Sequence, residues 1–188
     1  SEKDMGFENR SDFHVLVIGS GGAGIRAAVE AEKYGSVVLI SKTITGKGGC
    51  TVMAEGGYNA VLSDNDAVSV HFEDTIKGGA YLNDEALAET LASEAPARIR
   101  DLFNWGAVFD LSPENTIAQR PFGGQRFPRT CYAGDHTGHE MVMTLLERLR
   151  GSNVEIRDET TALELLKDGD KVIGAITVDR NGELGVIT

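Results

Sequence analysis

Cysteine is nearly missing from this chain of 188 residues: only Cys50 and Cys131 occur, far apart in sequence. They form no CxxC pair, no zinc spacing and no iron–sulfur framework, so the expected setting is reducing and cytoplasmic. Positive charge is also scarce. Eighteen Lys and Arg against 29 Asp and Glu give a net charge of −11, which argues against a nucleic-acid surface. An anionic ligand therefore needs a local basic patch set against this background. Long apolar runs are lacking too: VLVI (15–18) and VVLI (37–40) fall far short of the roughly 20 residues of a membrane span. The start, SEKDMGFENRSD, is polar and acidic with no signal-peptide apolar region, and 1–12 reads as a disordered tail. No repeat or low-complexity tract appears. With 41% hydrophobic and 25% charged residues, the chain has the composition of an ordinary globular protein, and 13–188 reads as one domain.

Within that domain, FHVLVIG (13–19) is an apolar run ending in glycine, the pattern of a buried parallel strand. GAGIRAAVEAEKY (22–34) is an alanine-rich helix stopped by Gly35, and SVVLIS (36–41) returns to strand, so the three make a βαβ unit. Helices are expected over 66–79 and 83–106, the second broken at Pro96, and over 138–150 with Thr137 as cap. Residues 109–135 read as a long irregular segment, a kind usually functional or disordered. The tail alternates through 161–166, 171–178 and 183–188 around the turns KDGD and DRNG. It reads as an antiparallel meander whose last strand has nothing beside it.

Three segments carry candidate chemistry. GSGGAG (19–24) fits G-x-G-x-x-G between a strand and a helix, the context in which that fingerprint is informative. Gly19 allows the tight turn, Gly21 lets a pyrophosphate approach, and Gly24 lets helix and strand pack closely. A purely structural turn is the alternative. The acidic residue that should follow about 20 positions on, to bind a ribose hydroxyl, is replaced by Ser41 and Lys42, which weakens a nicotinamide reading. KGGCTVMAEGG (47–57) lies beyond the carboxyl end of the second strand, where small residues let backbone amides meet a flat ring; a flexible surface loop is the bland reading. QRPFGGQRFPRTCYAGDHTGH (119–139) gathers Arg120, Arg126 and Arg129, which read either as a carboxylate or phosphate contact or as a solvated basic loop. His136 and His139 have no third ligand beside them except Asp135, and no metal site is expected.

In this order, VLVIGSGGAGIRAAVEA, LISK, CTVMAEGG, FEDTIKGG, QRPFGGQ, RT and D-x-TGH resemble the flavoprotein subunit of succinate dehydrogenase and fumarate reductase. L-aspartate oxidase is a close relative of that family, and QRPFGGQ followed by DHTGH points away from it. The resemblance implies an α/β fold: a Rossmann-like FAD-binding domain of the glutathione-reductase type carrying an antiparallel β-meander, here apparently truncated. It also accounts for the missing ribose acid, since the family shares the LISK strand end.

By that resemblance Gly19, Ser20, Gly21, Gly22, Ala23 and Gly24 hold the FAD pyrophosphate, and Ile40, Ser41 and Lys42 flank the adenosine ribose. Gly49, Cys50, Thr51, Val52, Met53, Ala54, Glu55, Gly56 and Gly57 line the flavin. Thr161, Ala162 and Leu163 meet the adenine side through their backbone. Phe122 faces a dicarboxylate beside Glu55 and Gly56. The implied reaction moves a hydride between succinate or fumarate and the flavin, and electrons pass to an iron–sulfur subunit. Membrane contact, on the inner face of the cell membrane, comes only through other subunits.

Two departures stand out. The family has S-H-T where this chain has Gly49-Cys50-Thr51, and that histidine is the covalent flavin tether, so FAD is expected to be bound non-covalently. The family also continues beyond the equivalent of residue 188 into a capping domain that carries the catalytic groups. No catalytic residue is therefore expected in this chain, and the piece alone is expected to be inactive. The rivals are an L-aspartate oxidase FAD domain and a non-catalytic dinucleotide-binding module.

Overall fold

Val37–Ile40 (β3) is buried on both faces, as the unbroken run VVLI requires, and the first half of the architecture is built around it. In the computed structural model, which describes residues 9–188, β3 pairs in parallel with Val15–Ile18 (β2) on one edge and with Glu155–Arg157 (β7) on the other. The helix Gly22–Ala31 (α1) joins β2 to β3 and buries Ile25, Ala28 and Val29. A second sheet runs in the order β1-β10-β9-β8, with Arg10–Ser11 (β1), Thr161–Asp168 (β8), Lys171–Val178 (β9) and Leu184–Ile187 (β10). The β8-β9-β10 part is the expected antiparallel meander. Val38 and Ile40 of one sheet meet Ile187 of the other, with Phe13, Leu16 and Ala162 packed around them. Each such buried aliphatic side chain contributes about 1.5–3 kcal/mol.

The described residues divide into two compact units, one of 9–52 with 145–188 and one of 53–144, where the sequence alone reads a single domain. The second unit contains Tyr58–Asn59 (β4), the helices Val68–Gly78 (α2) and Glu85–Asn104 (α3), and the short strands Gln119–Arg120 (β5) and Thr130–Cys131 (β6), which form a sheet in the order β4-β6-β5. Helix Thr137–Arg150 (α4) begins in this unit and ends in the first.

Several expectations change. Residues 1–8 of the supposed tail lie outside the described residues, but Arg10–Ser11 is a strand, parallel to β10 through Arg10↔Val186 and Ser11↔Ile187. The meander edge that seemed open is thus paired. Pro96 does not break α3: the buried face Ala88, Ala92, Ala95, Ile99 and Leu102 runs straight across it. That burial offsets the roughly 3 kcal/mol a mid-helix proline costs. Thr137 is the first residue of α4 rather than its cap, and its hydroxyl accepts from the Ala133 N–H at 3.0 Å. The segment 109–135 is ordered by β5, β6 and Asp110, whose N–H donates to Tyr132 O and whose carboxylate accepts from the Gly134 N–H at 2.6 Å.

Candidate functional site: a dinucleotide cradle and an aromatic-glycine corner

The first unit carries a cavity of about 350 Å³ at the carboxyl end of β2 and β3. It is lined by Ile18, Gly19, Ser20 and Gly21 from the turn, Ile40, Ser41, Lys42 and Thr43 from the next strand end, Gly48 and Gly49, and Thr160, Thr161 and Ala162. Two glycines are demanded by geometry. Gly19 has φ +107°, the left-handed region, with its N–H on Ile40 O at 2.9 Å. A Cβ on Gly24 would fall 1.9 Å from Gly19 O, so helix and turn approach only because none is there.

Helix α1 opens at Gly21 with no side-chain cap. Of its first free N–H groups, Gly22 donates to Thr51 Oγ1 at 3.1 Å, which leaves those of Ala23 and Gly24 for a ligand. Free N–H groups and the positive end of the helix dipole suit a phosphate. The Ser20 and Ser41 hydroxyls bond each other at 2.7 Å in a buried pair, so Ser41 is partly committed before any ribose arrives. Lys42 is exposed at the rim.

Nine residues expected from sequence converge on this cavity: Gly19, Ser20, Gly21, Ile40, Ser41, Lys42, Gly49, Thr161 and Ala162. Gly22, Ala23, Gly24, Cys50, Thr51, Val52 and Leu163 do not line it, and Leu163 is an exposed residue of β8. Ile18, Thr43, Gly48 and Thr160 line it without having been singled out. Thr160 carries no sequence signal of its own; its N–H donates to Ser41 O at 2.8 Å, which brings the start of β8 to the strand end.

In the second unit, Phe122 lies against Gly56: a Cβ there would come within 3.0 Å of the ring. Phe122 also lines a cavity of about 820 Å³ with Gly123, Gly124, Gln125, His71 and Tyr81. The three arginines separate in role. Arg129 is fully buried and bonds Asp66 at 2.8 Å and Asp74 at 2.7 Å. Arg126 bonds Glu73 and Asp74, both at 2.7 Å. Those two guanidiniums brace α2 rather than await a ligand. Arg120 instead donates to Gly56 O at 2.7 Å.

Burial raises the carboxyls of Asp66 and Asp74, but hydrogen bonds from Arg129, Arg126 and the Ala67 amide outweigh it and leave both below the ordinary carboxylate value. Burial and then the Arg129 charge push His71 below the ordinary histidine value. Burial pushes the Cys131 thiol up to about 12, which makes it inert as a nucleophile. His136 is exposed beside Asp135, and no metal-binding cluster occurs among the described residues.

A parallel βαβ unit with a glycine turn at its helix start, and a cavity at that turn, define a dinucleotide-binding domain. A family model described as FAD binding domain matches residues 14–187, and the chain belongs to that family. It is 48% identical over 168 residues to a chain of the CoM/CoB fumarate reductase of Methanothermobacter marburgensis, covering 87% of this chain and 31% of that protein. It is 35% identical over 178 residues to the chloroplastic L-aspartate oxidase of Oryza sativa subsp. japonica, covering 94% of this chain and 26% of that one. The solved Mycobacterium smegmatis Sdh1 complex in the apo form matches with a TM-score of 0.89 at 38% identity, over 95% of this chain and 33% of the other. The chain thus spans between about a quarter and a third of the length of these proteins.

Proposed function

We propose that this chain is the FAD-binding part of a flavoprotein that interconverts succinate and fumarate and passes electrons to an iron–sulfur partner. The observation that supports it best is the packing of Phe122, from QRPFGGQ, on Gly56 of the AEGG loop. That corner offers an aromatic wall and bare backbone to a small flat acid. The cradle at Gly19–Gly24 would hold the FAD pyrophosphate, with Ser41 and Lys42 beside the ribose and Thr161 and Ala162 beside the adenine. Gly49–Gly57 would line the ring, and Phe122, Glu55 and Gly56 would face the dicarboxylate. FAD, when bound, supplies the ring that exchanges a hydride with that substrate. No helix among the described residues is long and apolar enough to cross a membrane, and membrane association would come through partner subunits.

The 48% identity to a fumarate reductase chain, against 35% to an L-aspartate oxidase, favours succinate and fumarate over the amino acid. The test is anaerobic: succinate should bleach the flavin absorbance of the full-length protein, and L-aspartate should not. Bleaching by aspartate alone would assign the oxidase instead. Because the chain spans between about a quarter and a third of the length of these relatives, the 188 residues alone should bind FAD yet show no dye-linked succinate oxidation. Turnover by them would place the catalytic groups inside this chain.

A further inference from the structure

Three consecutive carbonyls of the loop before β4 are tied down within the second unit. Ala54 O accepts from the Gly138 N–H at 2.7 Å, at the start of α4. Glu55 O accepts from the Thr137 hydroxyl at 3.5 Å. Gly56 O accepts from Nη2 of Arg120 at 2.7 Å, and the same nitrogen reaches Glu55 O at 3.5 Å. The loop then ends at Gly57, whose φ is +132° and where a Cβ would lie 2.4 Å from Thr130 Cγ2 and 2.5 Å from Cys131 O.

Peptide units are planar, and none here is cis, so the N–H across each clamped carbonyl points the opposite way. Those N–H groups belong to Glu55, Gly56 and Gly57. Among the described residues none of them donates to an acceptor in the chain. Backbone donors left without a partner in a structured loop are set for a ligand or for water. Each clamp therefore fixes the direction of one unpaired donor.

Arg120 is the unusual member of that clamp. Its guanidinium stacks over Tyr132 at 4.3 Å, and no carboxylate among the described residues pairs with it. Its Nε is buried without a partner. Arg126 and Arg129, a few residues on, each hold two carboxylates. A guanidinium that bonds backbone carbonyls keeps its net charge and strengthens the N–H at the far end of the peptide unit it polarises. It also leads directly, through Pro121, to Phe122, so one short segment carries both the clamp and the aromatic wall.

We propose that Arg120 is a positioning residue that fixes the Glu55–Gly57 peptides so that their N–H groups donate to the electron-rich edge of the flavin or to a substrate carboxylate. The proposal rests on the reading of this loop as the lining of the FAD and dicarboxylate site. Arg120→Gln removes the charge and the two-carbonyl reach. Arg120→Lys restores the charge and one bond but not the stack on Tyr132.

The experiment is hydrogen exchange by mass spectrometry on the purified full-length protein, with and without FAD, then with succinate added. In the wild type, FAD should slow exchange about tenfold both at 19–24 and at 55–57. In Arg120→Gln the protection at 19–24 should persist while that at 55–57 is lost, and Arg120→Lys should regain part of it. Succinate should bind at least several-fold more weakly to Arg120→Gln, read from the perturbation of the flavin spectrum. Equal protection at 55–57 in wild type and Arg120→Gln would overturn the proposal and leave the FAD reading intact. Protection at neither segment in the wild type would overturn the reading of the site itself. Should Arg120→Gln not fold, Arg120→Lys with full protection at 55–57 would equally overturn the clamp.

Discussion

Two glycines of the same motif should respond oppositely to substitution. Gly21 has φ −73° and ψ 178°, extended backbone open to any residue, and a Cβ there would be 3.6 Å from Thr51 Oγ1, an ordinary contact. Gly21→Val should therefore fold and still lose FAD, because the side chain occupies the approach to the helix start. Gly24→Ala should not fold normally, since its methyl would sit on Gly19 O. Circular dichroism separates the two variants, and undiminished FAD affinity in folded Gly21→Val would show the turn to be merely structural.

Cys50 poses a second question at this scale. It is exposed, as are Lys42 and Lys47 nearby in sequence. Denaturing the full-length protein in acid should release the flavin to the supernatant. Flavin that pellets with the wild type, and is released from Cys50→Ala, would make the cysteine a tether.

Elements with a pattern of their own were legible in the sequence; elements made by their neighbours were not. The runs of β2 and β3, the alanine-rich α1 and the two turn dipeptides of the meander announce themselves through apolar periodicity and glycine. Arg10–Ser11 and Glu155–Arg157 are short and polar, and they become strands only because β10 and β3 offer free edges. Nine of the thirteen residues lining the cavity lie in contiguous motifs legible in the sequence, whereas Thr160 enters through one long-range bond to Ser41. The arginine-rich segment misled in part, since its acidic partners Asp66, Glu73 and Asp74 lie more than fifty positions upstream.

Helix α2 is held to that segment by charges rather than by a large apolar seam, and the consequence is measurable. Arg129 is 0% exposed, and its partners Asp66 and Asp74 are 1% and 7% exposed at the side chain. Replacing such a triad wholesale with apolar residues is often neutral, but deleting one member leaves the others buried and uncompensated. Arg129→Met should therefore destabilise the protein by about 3–5 kcal/mol in urea unfolding. The triple variant Arg129→Met, Asp66→Leu, Asp74→Leu should regain part of that loss. A single variant within about 1 kcal/mol of wild type would mean the triad is solvated in solution.

For the whole molecule, the excess of acidic groups makes pH the natural variable, and the buried cluster sets the direction. Asp66 and Asp74 titrate below their ordinary value in the folded state, so the unfolded chain binds their protons first as pH falls. Their stabilisation is present in full above the ordinary carboxylate pKa of about 4 and is lost as pH drops through the lower folded values. His71 is also lowered, so it too takes its proton in the unfolded chain before the folded one. For a histidine this means stability begins to fall as pH drops through its ordinary value of about 6.5 and goes on falling down to the folded value. Both effects have the same sign in acid but set in at different pH values, and neither acts near pH 8. Unfolding midpoints should thus be flat from pH 8 to 7, decline from about pH 6.5, and fall more steeply below about pH 4. His71→Gln, which cannot titrate, should flatten the upper decline and leave the lower one. An unchanged decline near pH 6 in that variant would show that His71 is not its source.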